Sequence, residues 1–525
     1  MRLKGFFVPG PQDDGDAVTG HYYETASPDP ARAQVWGYTD RLSYAPGETL
    51  VLHAMSSAER IGVEILRDGL APQVVHRAEI SGGLAPTPAE CSVRGCGWPV
   101  RLRLVLPDWP SGLYVIRLTV PGHQSEHMVV LKPARKQGIL MLLTTGTWCA
   151  YNDWGGSNHY QGLTGPHGVE FAAHVSLHRP WAKGFVHWPE GAPRIPHASP
   201  LLSRPRYPHL EFARTAGISK AYASAGWAAF ERPFAHWCEA QGIGLSYATQ
   251  HDLHADPALL DGFDRVLIVG HDEYWTWEMR DHLDAWVDGG GQLARFAGNV
   301  FWQTRLSADL SVQTCYKSRA EAEDPVEDRR RLTGCWDHPQ IGRPAVASLG
   351  LTGVMGVYAG WSRCAAHGAG GFVIYRPDHW SVAETGLGYG DVLGAEAKIF
   401  GYEVDGVDYI MDQGLPFAAP GVGLEGRLTI VGLSPASTMA HTTGPWDADR
   451  FIGPHDAEEV ARVVHGGATP ANVARASRGN GCMADYRRGQ GAVFNAGSCE
   501  WVAGLIARDP VVERVTRRVL LGAWG

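Results

Sequence analysis

Residues 265–303 read RVLIVGHDEYWTWEMRDHLDAWVDGGGQLARFAGNVFWQ, and this stretch decides the fold class. RVLIVG (265–270) is a short apolar run suited to a strand buried on both faces. Thr276 carries a hydroxyl that can cap a helix, and Met279, Leu283, Trp286 and Val287 then fall on one helical face before Gly289-Gly290-Gly291 ends it. QLARFAG (292–298) is the next strand. Strand, helix and strand in immediate succession predict a parallel βαβ unit.

The same rhythm extends outward in both directions. GILMLLTT (138–145) is a second apolar run, too short for a membrane and suited to a buried parallel strand. A helix over 230–241 places Phe230, Phe234 and Trp237 on one face, with Gly242 as its stop, and GLSYAT (244–249) follows as a weaker strand. A last strand, GAVFNAG (491–497), leads to a helix opened by Asp509-Pro510. Residues 136–525 are therefore expected to form a doubly wound parallel sheet of the α/β class. The region from about 305 to 490 breaks the pattern. It is rich in Gly and Trp, includes GGFVIYR (370–376), and is expected as an insertion over one edge of the sheet. Its charged run KSRAEAEDPVEDRRR (317–331) reads as a solvated loop or helix face.

Residues 1–135 have a different texture. In VRLRLVL (100–106), Val100, Leu102, Leu104 and Leu106 alternate with Arg101 and Arg103, as in a half-buried strand. Pro46-Gly47 before TLVLHAM and Pro110-Ser111-Gly112 before LYVIRLTV supply turns. The expectation is an immunoglobulin-like β-sandwich that packs against the larger domain.

Composition excludes several classes. Across 525 residues the formal charge is -9 and no Lys/Arg run stands out, so neither nucleic acid nor an anionic membrane is an expected partner. MRLKGFFVPGPQDDGD (1–16) lacks a signal-peptide core, and no segment has the apolar length of a membrane span, so a cytoplasmic address is expected. Nine scattered cysteines point to free buried thiols, with Cys91 and Cys96 on a surface hairpin. The 19 Trp and 65 Gly suit either loop-built pockets with aromatic walls or a large aromatic core.

Ligands of open α/β sheets collect at the carboxyl ends of strands. Polar residues concentrate after each predicted strand: Tyr151, Asn152, Asp153, Trp154, His159 and Tyr160 after the first; His271, Asp272, Glu273, Tyr274 and Trp275 after RVLIVG; Asn299 and Trp302 after QLARFAG; Ser498, Cys499 and Glu500 after GAVFNAG. Singly these residues have plain structural roles, such as a core ring for a Tyr or an Asx-turn for Asp153. Together they predict one pocket for a small-molecule substrate.

The strings AYNDWGGSNHY (150–160), WCEAQGIGLSYATQHDLH (237–254), VGHDEYWTWEMRDHLDAWVDGGGQLARFAGNVFWQ (269–303) and VFNAGSCEWVAGL (493–505) resemble the C-terminal domain of the N,N-dimethylformamidase large (beta) subunit and its relatives, over about residues 136 to 523. The resemblance implies a glutaminase-like fold, amide hydrolysis, and one Fe(III) held by two tyrosines and a glutamate. Carried onto this chain, it points to Tyr274, Glu403 in GYEVDG, and a second tyrosine. The stretch where that tyrosine is expected reads Glu231-Arg232-Pro233-Phe234-Ala235-His236, so Tyr151 or His236 substitutes, or the iron site is altered or absent. His271 or Glu273 would then shuttle protons, and Asn152 or Asn299 would orient the carbonyl. Asp153, Trp154, His159, Trp275 and Trp302 would contact substrate. A small subunit or a second copy is the implied partner.

Two rival readings remain. One is a carbohydrate- or small-molecule-binding protein with a degenerate site, its walls formed by Trp148, Trp154, Trp275 and Trp302. The other uses Cys149 as nucleophile with His159 or His271 as base, although no G-x-C-x-G elbow surrounds it.

Overall fold

The structure, a computed structural model, describes residues 23–163, 171–194, 208–356, 370–435, 461–462, 465–476 and 478–525. The 1–16 stretch read for a signal peptide lies outside them. The chain is mixed α/β, built on several sheets.

Its centre is a nine-stranded sheet. Leu245–Thr249, Ile139–Leu143, Arg265–His271, Gln292–Gly298 and Gly491–Asn495 lie side by side in that order, and every pairing among them is parallel. All five residues of Ile139–Leu143 are buried, as expected of a strand covered on both faces. The expected helix follows: in Trp277–Asp288 the Thr276 hydroxyl accepts from the Met279 N–H at 3.1 Å, and Met279, Leu283 and Val287 are buried.

The sheet then changes character. Asn480–Arg488, Leu428–Pro435, Phe372–Ile374 and Val392–Leu393 extend it as antiparallel strands. The region about 305–490 is thus more than an overlay on one edge, because it supplies the antiparallel half of the central sheet. The sheet as a whole is mixed, and the expectation of a purely parallel one is corrected. Apolar Leu428, Ile430, Leu433, Met483 and Ala484 bury against the core and hold these strands in place.

Two further antiparallel-rich sheets precede it. One contains Val35–Thr39, Thr49–Ser56 and Val100–Val105; the other contains Ser43–Tyr44, His123–Leu131, Gly112–Val120, Arg60–Arg67 and Gln73–Ser81. Val35, Leu50 and Leu52 of the first share a core with Ile61, Val63, Ile116 and Leu118 of the second. Val100–Val105 is an edge strand: Leu102 and Leu104 pack on that core while Val100 is exposed.

Eight cysteines are free and buried, and the ninth, Cys364, lies outside the described residues. Cys91 and Cys96 are not on a surface hairpin. They sit buried in and just after the one-turn helix Cys91–Arg94. Among the described residues no helix is long and apolar enough to cross a membrane.

Candidate active site

Glycines bring the strand ends together. Gly270, at φ +83, stands before His271, and a Cβ there would lie 2.2 Å from Cβ of Phe230. Only glycine combines that backbone with that approach. Gly298 stands before Asn299, where a Cβ would meet the Glu403 carbonyl oxygen at 2.6 Å. Its bare backbone lets the loop carrying Glu403 press against the strand end, a contact closed by the Cys499 N–H donating to that carbonyl at 3.0 Å. Asn299, Lys317 and Tyr402 hold left-handed backbone at φ 64, 53 and 45. Non-glycine residues pay about 1–3 kcal/mol each for this conformation, and such strain gathers where function requires a fixed geometry.

Behind the tips, Arg295 acts as a buried anchor. Its Nε donates to Asp272 at 2.8 Å and its Nη1 to Asp405, with the Asn495 amide oxygen 3.2 Å from Nη1. Asp405 in turn accepts from the Val300 N–H at 3.1 Å, and Asp272 accepts from the Gln250 amide and the Trp275 indole, each at 2.8 Å. One guanidinium therefore fixes the neighbours of Glu273, Asn299 and Glu403.

In front of it lies a cluster of acids, phenols and one imidazole. His271 Nδ1 faces the Ser224 carbonyl at 2.8 Å, which leaves Nε2 turned to Glu403 at 2.9 Å and Glu273 at 3.2 Å. The Asn299 amide donates to Glu403 at 2.5 Å. Glu273 accepts from the Trp302 indole at 2.7 Å, and the Tyr160 hydroxyl lies 2.7 Å from each of its oxygens. The Tyr274 hydroxyl donates to Tyr160 at 2.9 Å, forming a relay of hydroxyls that ends on the carboxylate. The rings of Tyr151 and Tyr402 flank His271 edge-on, each with its centroid 5.2 Å away. Tyr160 and Trp302 are half-buried and the others are buried.

Electrostatics follow from this packing. Burial alone would strip the His271 proton, but the Glu403 and Glu273 carboxylates reverse this and push its pKa up to about 10. Burial opposes ionisation of Glu273 too, yet His271 and Lys317 hold its pKa below the usual value. Glu403 moves the other way, raised by burial against the pull of His271. The Tyr151, Tyr160, Tyr274 and Tyr402 hydroxyls are all raised well above 10 by burial and by the nearby carboxylates.

The structure brings together His271, Glu273, Tyr274, Glu403, Asn299, Tyr151 and Trp302 from the sequence-predicted set. His159 stacks on Tyr274 with centroids 5.7 Å apart, and burial pushes its pKa down to about 3. Three others serve the framework instead. Asn152 donates to the Pro180 carbonyl and accepts from the Trp154 and Ala182 N–H groups. Trp154 packs edge-on against Trp36 and Trp98, and Trp275 bonds to Asp272. Asp153 lines a separate small cavity with Tyr151 and Tyr160. His236 lies near Asp68, 3.7 Å away, beside a cavity of about 610 Å³ between the N-terminal sheets and the Glu231–Ala240 helix. Cys149 is buried without a hydrogen bond to either histidine, and burial pushes its thiol up to about 12, which removes the thiolate that nucleophilic attack requires.

Three site residues are given no role by the sequence reading: Tyr160, Tyr402 and Lys317. Tyr160 ends the AYNDWGGSNHY string, where its polar neighbours were the available signal. Lys317 opens the run read as solvated, yet it is only 3% exposed, its ammonium lies 3.2 Å from the Tyr160 ring centre and it donates to the His159 carbonyl at 3.2 Å. Burial pushes its pKa down to about 8 against the pull of Glu273. Tyr274–Thr276, Trp302–Leu306, Val312–Thr314 and His174–Ser176 form a small sheet that carries Tyr274 and Trp302 and delivers Lys317 just beyond its end. Among the described residues, no group of three or more His, Cys, Asp or Glu is disposed to hold a metal ion, so any cation here would depend on the phenols.

No curated protein matches the chain. A family match covers residues 64–512, beginning within the N-terminal sheets and so ahead of the boundary at 136 that the sequence texture suggests. With that span and this cluster, the chain belongs to the N,N-dimethylformamidase beta subunit-like, C-terminal family.

Proposed function

We propose that this chain hydrolyses the C–N bond of a small amide, using an iron ion held by oxygen ligands at the cluster. The observation that carries this is the Glu273 carboxylate, met by the Tyr160 hydroxyl at 2.7 Å, with Tyr274 2.9 Å beyond. Oxygen-only donors at this spacing suit a hard cation such as Fe(III). Phenols kept protonated by burial ionise most readily opposite such a charge. Tyr160, Tyr274 and Glu273 would hold the ion, with Tyr151 adjacent as a further oxygen donor.

When bound, the ion supplies Lewis acidity toward an amide carbonyl and lowers the pKa of a water. The protein supplies the rest. His271 holds a proton at Nε2 between two carboxylates and is placed to deliver it to the leaving nitrogen. Glu403, whose proton affinity burial raises, is the base able to take a proton from water, and the Asn299 amide fixes its orientation. Lys317 sets a positive charge beside Tyr160 and Glu273, in a place to offset negative charge as it develops on the carbonyl oxygen.

With this reading go a glutaminase-like arrangement of the parallel strands, an immunoglobulin-like sandwich for the two N-terminal sheets, and a companion subunit suggested by the family's description. Free buried cysteines suit a reducing compartment such as the cytoplasm.

The test is elemental analysis and a visible spectrum of the purified protein, together with amine or ammonia release from simple amides and N,N-dimethylformamide. Bound iron, a phenolate-to-iron absorption band lost in Tyr160→Phe and Tyr274→Phe, and amide turnover are expected. Absence of both metal uptake and turnover after iron loading overturns the proposal, and small-molecule binding without either would favour the binding-protein alternative.

A further inference from the structure

Beside the cluster, and sharing Tyr151 and Tyr160 as walls, lies a cavity of about 20 Å³ lined also by Asp153, Asn158, Gln161 and Lys220. Its walls are fixed. Asn158 donates to the Tyr151 carbonyl at 2.8 Å and accepts from the Tyr160 and Gln161 N–H groups, both at 2.8 Å. Asp153 and Gln161 are 2% and 5% exposed, and neither Asp153 oxygen nor the Gln161 Oε1 has a close hydrogen-bond partner, although the Ser219 hydroxyl and the Lys220 ammonium stand near Asp153. Buried acceptors left unpaired are costly, so the space is matched to something that donates.

Size narrows the choice. A water-sized group needs about 10–15 Å³ of such space. An –NH2 group or ammonia fits such a space, whereas a dimethylamino group adds two methyls and brings no N–H. We infer that this cavity receives the nitrogen of a primary amide, with Asp153 and Gln161 accepting its N–H donors. The inference rests on the amide-hydrolase reading above and gives it a substrate class. In the reaction RC(O)NH2 + H2O → RCO2⁻ + NH4⁺, the C–O bond forms from water and the C–N bond breaks. Its electron pair stays on nitrogen, which takes up protons and leaves as ammonium. Asp153 suits that product as a buried carboxylate whose oxygens can accept its N–H donors.

The experiment uses the full chain with acetamide, N-methylacetamide and N,N-dimethylacetamide, measuring binding by calorimetry and product release by ammonia and amine assays. The expected preference for the primary amide is at least about tenfold in kcat/KM, since a site that hydrogen-bonds a donor rejects analogues lacking it. Asp153→Asn, or Gln161→Met if the first does not fold, should collapse that preference while leaving the thermal melt near wild type. Equal or better handling of the dimethyl amide overturns the inference but leaves the hydrolase reading standing. A primary preference unchanged in the folded variants overturns the assignment to these residues. No binding or turnover of any amide overturns both.

Discussion

The ammonium of Lys317 lies 3.2 Å from the centre of the Tyr160 ring, in cation–π contact with the phenol that bonds Glu273. This buried cation loses its proton at about pH 8, because burial favours the neutral amine. Activity that depends on the charge should therefore fall as pH rises through about 8. Lys317→Met should lower kcat by about 10²-fold or more, within the range found when one electrostatic contact to the transition state is lost, and should remove the alkaline limb of the pH–rate profile. Retention of that limb in the variant would assign it to another group.

His271 and Glu403 form the second testable pair. Because the Glu403 and Glu273 carboxylates raise the imidazole against its own burial, Glu403→Gln should bring the His271 pKa down by about one unit or more, as expected for the loss of a close opposite charge. Carbon-13 NMR of the labelled imidazole reads this directly. His271→Gln should cost about 10²–10⁴-fold in kcat if this nitrogen delivers the proton. An unshifted imidazole in Glu403→Gln would show that Glu273 alone sets the charge.

Arg295 is expected to matter for stability more than for chemistry. It is fully buried between Asp272 and Asp405, so Arg295→Met leaves two buried carboxylates without a counter-charge. Breaking a buried pair in this way costs about 3–5 kcal/mol, and denaturant unfolding should show a loss of that size. The triple change Asp272→Asn, Arg295→Met, Asp405→Asn should recover part of it, because no lone charge then remains buried. Failure of the triple variant to recover any stability would show that the weakened hydrogen bonds to Val300 and Gln250 cost more than the unpaired charges.

What could be read in the sequence divides along physical lines. Apolar runs such as ILMLL and the periodic face of Trp277–Asp288 carry their structure locally, and both occur where expected. The strands Leu428–Pro435 and Asn480–Arg488 do not, since small and polar residues such as Gly432, Asn480 and Asp485 are buried there by sheet neighbours distant in the chain. The same contrast holds at the site. His271, Glu273, Tyr274 and Asn299 stand directly at or after strand ends, so their convergence follows from topology. Lys317 stands in a run whose average is highly charged, and only the packing of a small sheet reveals that its first residue points inward. Asn152 and Trp275 have suitable chemistry, but loop and strand hydrogen bonds use it internally, which composition does not register.

A fourth prediction concerns how the N-terminal sheets are held. Asp68 and Glu126 project from that region toward His187, which lies 2.7 Å from Glu126 and 3.8 Å from Asp68, while Arg232 donates to Asp68 at 2.8 Å. Burial would lower the His187 pKa, but the two carboxylates raise it from 6.5 to about 9. A folded pKa above the unfolded one means stability that is fully present below pH 6.5 and is lost as pH climbs through about 9. Because the ring is 30% exposed, solvent screening holds the effect to about 1 kcal/mol. Thermal melts between pH 6 and 10 should therefore show a decline that His187→Gln flattens, and limited proteolysis should cut more readily between the N-terminal sheets and the central sheet above pH 9. A wild-type profile that the variant reproduces would place the alkaline loss elsewhere, and Lys317 cannot supply it. Its pKa is depressed on folding, so between about pH 8 and its ordinary value of 10.5 it adds stability as pH rises.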